Sequence, residues 1–280
     1  MEIGVALPHM GPHVSAGGLE RLAAVAEEFD FHSLWFSDHL IIPVDYDHRY
    51  PYHEAGDFPL DHNSPWLDCL TTLTWMAART ERIKLGTSVL VVPYRHPVVV
   101  AKQVSAIQYL SRGRFIFGAG GGWMQTEYDT VQVPYKERGK RLDECLDLIT
   151  AYCTTSPASY EGRFYHLPPA GVKPLPDTPP EIWIGGETDV ALRRAARFKG
   201  WQSYHGTTEH VRASAAKLPE HVTVSVRRQL NPNAMQESVE ELVELRDAGV
   251  DHVVLEVWAD VPTVEKTWRR LAAEFAPALV

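Results

Sequence analysis

Two adjacent residues, Asp38 and His39, close the run Trp35-Phe36-Ser37-Asp38-His39. A carboxylate beside an imidazole can hold a planar ring by hydrogen bonds and pass a proton near neutral pH, where the imidazole changes charge. The same pair can also be a loop cap next to a buried histidine. A second candidate is Phe117-Gly118-Ala119-Gly120-Gly121-Gly122-Trp123. A dinucleotide fingerprint would need glycine at 123, where Trp stands. The glycines instead let the backbone approach a flat ligand, or make a tight turn. A third candidate is Gly185-Gly186-Glu187-Thr188 after the apolar Ile182-Trp183-Ile184. A Gly-Gly turn that opens a helix presents free N–H groups to a phosphate. The charges of Glu187 and Asp189 oppose that, so the backbone would have to carry the contact.

Other chemistries lack their residues. Asp45, Asp47, His48, His53, Asp57, Asp61 and His62 are polar and close in sequence. Their spacing is irregular and no helix or strand period aims them at one point. They read as a solvated lid, and no metal is expected. His9 and His13 are four apart, which is not the His-x-His of metal-dependent barrel hydrolases. There is no Gly-x-Ser-x-Gly, and none of Cys69, Cys145 and Cys153 sits in an activating setting or a CxxC. An odd cysteine count is a poor disulfide framework and suits a reducing compartment. With 27 Lys and Arg against 36 Asp and Glu, the net charge is −9, which argues against a nucleic-acid partner. No leader-like N-terminus and no run of 18 uncharged apolar residues is visible. The expectation is a soluble, cytoplasmic protein acting on a small molecule.

The elements that would position these groups alternate. Eight short apolar runs, at 3–7, 33–37, 83–92, 114–117, 181–184, 201–204, 222–227 and 252–257, read as strands. Most are continuously apolar, as parallel strands covered on both faces are. Helical patterns lie between them. Leu19, Leu22, Ala23, Ala26 and Phe29 share a face, as do Leu142, Leu146 and Ile149. Ser64-Pro65 predicts a helix start before residues 70–78, Pro97 one running to Leu110, and Thr188 a cap for 190–198. Val239, Leu242, Val243 and Leu245 lead to a stop at Gly249, and a last helix covers 264–275. Eight strands, most followed by a helix, predict a (β/α)8 barrel in a single domain over residues 1–280 rather than an open doubly wound sheet. Two long segments, 42–63 and 128–180, would then lie on the active face as lids.

Taken in order, several strings resemble the luciferase-like flavin and deazaflavin oxidoreductases, nearest to the actinobacterial subgroup that uses coenzyme F420. They are IGVALP, FHSLWFSDHLIIPVDY, RYPY, ERIKLGTSVLVVPYRHPVVVAKQ, GRFIFGAGGGWMQTEY, PYKERGKRLDE and PPEIWIGGETDVALRRAAR. The resemblance runs nearly end to end and implies a (β/α)8 barrel with lid insertions on its C-terminal face. By the same resemblance Asp38 and His39 contact the deazaflavin ring, with His39 as proton donor or acceptor and Asp38 bonding the cofactor or orienting the imidazole. Ser88 and Val89 carry a non-proline cis bond and support one ring face. Gly120, Gly121, Gly122 and Trp123 line the cofactor, and Gly185, Gly186, Glu187 and Thr188 form the phosphate turn. The implied reaction is hydride transfer to or from a small organic substrate. The alternatives are an FMN-dependent monooxygenase and a non-catalytic flavin carrier. Homodimers through barrel helices are common in the family. This chain departs from relatives that oxidise sugar phosphates at Trp123, where they carry an acid, and at Pro43, where they carry Trp. Where near relatives read Gly-Asp-Gly-Trp, it has Phe198-Lys199-Gly200-Trp201, and Lys199 is a candidate to offset Glu187.

Overall fold

The computed structural model describes residues 1–46, 49–52, 55–204 and 206–275. The strands are β1 (Glu2–Ala6), β2 (Ser33–Phe36), β3 (Lys84–Thr87), β4 (Leu90–Val91), β5 (Phe115–Gly120), β6 (Ala158–Glu161), β7 (His166–Ala170), β8 (Glu181–Gly185), β9 (Gly200–Tyr204), β10 (Thr223–Gln229) and β11 (His252–Glu256). The helices are α1 (Ala16–Glu28), α2 (Cys69–Arg79), α3 (Pro97–Leu110), α4 (Gln125–Thr130), α5 (Arg138–Thr154), α6 (Asp189–Ala195), α7 (Thr208–Ala215), α8 (Met235–Asp247) and α9 (Val261–Arg270). Parallel pairing runs β3-β2-β1-β11-β10-β9-β8-β5 and closes through β3–β5, with β4 a short extension alongside β5. The result is the closed eight-stranded (β/α)8 barrel expected from the alternation.

The strands bury both faces. Outward residues such as Leu34, Phe36, Leu85 and Phe117 pack under the helices. Inward residues include Trp35 and Trp183, whose rings lie 5.3 Å apart. Two indoles fit inside one barrel because the facing strands carry glycine. A Cβ on Gly86 would come within 2.4 Å of Trp35, and one on Gly200 within 2.5 Å of Trp183. This alternation of large and small interior residues packs the barrel axis.

His252 completes that plug. Its ring nitrogens meet Ser33 Oγ and Ser225 Oγ, each at 2.9 Å, and it touches both indoles. Burial, then the nearby His32 and Lys84, hold its imidazole well below the usual value. The unfolded chain takes up a proton below about pH 6.5 that the folded chain refuses. Stability is therefore whole above that pH and is lost as pH falls toward the depressed folded value, at up to about 1.4 kcal/mol per pH unit. The urea midpoint is expected to drop on mild acidification, with a shallower slope in His252→Gln. Equal slopes in the two proteins would remove His252 from the cause.

Five expectations about elements need correction. Helix α2 starts at Cys69 with Asp68 as its cap, not at Ser64-Pro65. Residues 65–67 are drawn into pairing with 9–11, through Gly11 N to Pro65 O (2.9 Å) and Leu67 N to His9 O (3.0 Å), so the helix cannot begin earlier. The run 83–92 is not one strand, because a cis peptide at Ser88-Val89 divides β3 from β4. Segment 128–180 is not mainly a lid. It holds α5 and the β6–β7 hairpin, whose turn amides at Arg163, Phe164 and Tyr165 bond to Glu144 of α5, and residues 158–170 do not line the cleft described below. Helix α6 is shorter than 190–198 and α9 begins earlier than 264, at Val261 behind its cap Asp260. All three cysteines are buried, and burial raises their thiols, to about 12 for Cys145 and Cys153. Among the described residues, no helix is long and apolar enough to cross a membrane.

Candidate active site

A cleft of about 1130 Å³ opens at the C-terminal ends of the strands. It brings together every residue singled out above for the site: Asp38, His39, Ser88, Val89, Gly120, Gly121, Gly122, Trp123, Gly185, Gly186, Glu187 and Thr188. How those residues are used differs from the simplest reading of several of them.

Asp38 is buried and fully engaged. Arg95 forks onto both its oxygens, at 2.7 and 2.8 Å, and the Val91 amide donates to Oδ2 at 3.0 Å. A bidentate pair of this kind fixes geometry strongly. Asp38 therefore ties the end of β2 to β4, just past the cis bond. It does not orient the imidazole of His39. That is done by Glu127 of α4, whose Oε2 takes the Nδ1 side of His39 at 2.7 Å. Phe58, Trp66 and Trp123 pack around the same ring, with centroids 5.1, 4.9 and 6.0 Å away. His9, fully buried, donates to Leu7 O through Nδ1 and accepts from the Ser37 amide through Nε2, so it pins the strand end that carries the pair.

The glycines have local reasons. A Cβ on Gly118 would stand 1.8 Å from Thr87 O. Cβ atoms on Gly120 and Gly185 would meet the Val89 side chain at 2.5 and 2.8 Å. Gly122 has φ +61° and lies against Val91 and Tyr94. Gly120 and Gly185 thus seat Val89 of the Ser88-Val89 bulge, and Gly118 and Gly122 make room for the residues on either side of it. Gly121 has only Arg138 and Leu142 within reach of a Cβ, both at 3.9 Å, and so presents bare backbone to the cleft.

The bulge is held from below by Arg227 of β10, which sequence reading missed. Its Nη1 donates to Ser37 Oγ (2.7 Å) and to the Ser88 carbonyl (3.1 Å), and its Nη2 donates to Glu256 of β11 (2.7 Å). Both partners are buried. The signal was available: an arginine inside an apolar strand is almost never buried without a partner. Glu127 gave no comparable signal, because it lies on a six-residue helix too short to show a period.

At the other end of the cleft Thr188 caps α6 by accepting from Ala191 N, and Glu187 turns to the Tyr204 amide (2.6 Å), Ser203 Oγ (3.2 Å) and His210 Nε2 (3.0 Å). Lys136, Arg138 and Arg194 also line the cleft, Arg194 bonding to Asp143 and to Gly139 O. Lys199 does not belong here. It lies at the N-terminal end of the barrel, lining a separate cavity of about 370 Å³, and cannot offset Glu187.

The roof is built by described residues of the 42–63 segment, Tyr50, Tyr52 and Phe58 among them. Tyr50 and Phe58 close on Trp123 at 5.2 and 5.6 Å, and Tyr52 packs on Tyr204 at 4.8 Å. Asp45, Asp57, Asp61 and His62 point outward to solvent; Asp47, His48 and His53 lie outside the described residues. Among the described residues, no group of three His, Cys, Asp or Glu could hold a metal ion.

A closed (β/α)8 barrel with its cleft at the C-terminal strand ends is a fold that carries enzyme sites on that face. The chain belongs to the luciferase-like monooxygenase family, whose profile matches residues 1–271. It is 32% identical over 197 residues to an uncharacterized protein of Mycobacterium tuberculosis, spanning 70% of this chain and 68% of that one. It is 33% identical over 187 residues to an F420-dependent glucose-6-phosphate dehydrogenase of Amycolatopsis mediterranei, spanning 64% of this chain but only half of that enzyme. In fold it is similar to an F420-dependent secondary alcohol dehydrogenase in complex with an F420-acetone adduct, with TM-score 0.80, 14% identity and essentially full coverage of both chains.

Proposed function

We propose that the chain is a deazaflavin (F420)-dependent oxidoreductase that moves a hydride to or from a small organic substrate. The observation that carries this reading is the mixed lining of the cleft. Its lining combines Val89 and bare backbone at Gly121, the His39 imidazole, and the cations Lys136 and Arg138. Those residues fit a flat tricyclic ring with an anionic chain. When bound, the deazaflavin supplies a hydride-carrying carbon. Val89 and the glycine backbone would hold one ring face, the turn at Gly186–Thr188 with Lys136 and Arg138 would receive the phosphate-bearing chain, and His39 would give or take the proton that accompanies hydride movement. The aromatic roof would exclude water from that exchange. Trp123 and Pro43 argue against a sugar phosphate as the substrate. The single-domain organisation, a homodimer and a cytoplasmic location are further parts of this reading.

FMN shares the tricyclic ring and the ribityl phosphate, so the cofactor is decided by binding. Titrating the deazaflavin and FMN separately against tryptophan emission, at equal salt, should give tighter binding for the deazaflavin, with Trp123 in the cleft as reporter. Tighter binding of FMN would turn the assignment toward a monooxygenase. Binding of neither would remove both readings.

A further inference from the structure

We propose that Glu127 is the positioning residue that decides which nitrogen of His39 carries the proton, and so which chemistry the imidazole offers the cleft. The link to catalysis rests on the reading of His39 just given; the assignment of the proton does not. Glu127 is completely buried and comes from α4, 88 residues away from His39 in sequence. Its Oε1 accepts from the amides of Leu40 (2.7 Å) and Ile41 (3.3 Å). Its Oε2 accepts from Tyr94 Oη (2.9 Å) and faces His39 Nδ1 (2.7 Å). Amides only donate, and the carboxylate only accepts, so the proton of this short contact lies on Nδ1. The other nitrogen, Nε2, then has a lone pair whenever the ring is neutral. With the ring walled by Phe58, Trp66 and Trp123 and fixed at Nδ1, Nε2 is the nitrogen left to serve the cleft.

The geometry also supplies a variant that separates positioning from folding. In Glu127→Gln the amide oxygen can keep the bonds to Leu40 and Ile41, while the amide NH2 replaces Oε2. That NH2 donates to His39 Nδ1, and Tyr94 Oη rotates to accept. The local backbone stays held, but the imidazole must move its proton to Nε2. A base facing the cleft becomes a donor. The same exchange of carboxylate for amide behind a catalytic histidine lowers turnover by roughly 10⁴-fold in the serine proteases through the wrong tautomer.

The direct test needs no cofactor. Protein labelled with ¹⁵N-histidine is examined by long-range proton–nitrogen correlation in alkaline buffer, and the His39 signals are identified by their loss in His39→Gln. The expected result is a protonated Nδ1 in the unsubstituted protein and in Tyr94→Phe, which removes one donor to Glu127 but leaves the carboxylate. Glu127→Gln is expected to show a protonated Nε2. A protonated Nε2 in the unsubstituted protein overturns the proposal without any variant, so a Glu127→Gln protein that fails to fold does not shield it. Retention of the Nδ1 proton in folded Glu127→Gln overturns it as well. In the loaded enzyme, the reversed tautomer should lower kcat by about 10²-fold or more while KM moves little. A reversed tautomer with unchanged kcat supports the assignment to Glu127 and removes His39 from the chemistry, so the two readings fail separately.

Discussion

Replacing His39 by Gln should cut turnover by about 10²–10⁴-fold, the usual cost of losing a positioned proton donor or acceptor, while the protein stays folded. The structure explains both halves. His39 is the titratable group set under the aromatic roof, with Glu127 behind it. Its removal does not strand that carboxylate, which retains the Leu40 and Ile41 amides and the Tyr94 hydroxyl. Glutamine can also offer its own amide to Glu127, whereas His39→Ala opens a gap beside Phe58 and Trp66 and should lose somewhat more stability. The measurement is bleaching of the oxidised deazaflavin over a panel of alcohols, with thermal melting in parallel. Undiminished turnover in a folded variant would make His39 a wall residue only. Lost folding would make it a structural one.

The largest stability effect is expected at Arg227. Arg227→Leu removes the partner of Glu256 inside the barrel and leaves a buried carboxylate facing little but the Tyr204 hydroxyl at 3.4 Å. Breaking a buried pair from one side costs about 3–5 kcal/mol, because the remaining charge has lost water and gained nothing. Removing both charges is much milder, since the desolvation cost disappears along with the attraction. Urea unfolding of Arg227→Leu, Glu256→Leu and the double variant forms a cycle that reads this coupling. The double variant should be more stable than Arg227→Leu alone. Additive losses would show that the two side chains contribute independently and that the pair is not the source of the effect. The double variant should still bind the deazaflavin poorly, because Arg227 also holds Ser37 and the Ser88 carbonyl under the ring floor.

The barrel was legible because a parallel strand covered on both faces writes itself as an unbroken apolar run, and eight such runs alternate with helical periods. What the runs hid was interruption. Residues 83–92 are apolar throughout, yet the chain turns at Ser88-Val89, a backbone event with no hydrophobic signature. Elements too short or too polar to show a period were lost: α4 with six residues, α7 reading TEHVRASA, and the hairpin at 158–170. The site was legible by type and position but not by partnership. Asp38 and His39 stand side by side, which suggested that one serves the other. The fold sends Asp38 to Arg95 and His39 to Glu127, pairings set by the closure of distant strands and helices. Likewise the glycine run marked a close approach correctly, but most of what approaches is the protein's own bulge at Val89.

The indole plug in the lower barrel governs traffic. Trp35, Trp183 and His252 fill the axis, and the cleft above shares no lining residue with the small cavity below. Among the described residues the plug closes the axis, so a guest of the cleft enters and leaves on the strand-end face. The barrel is a cup and not a tube, and whatever it holds must be exchanged from the rim.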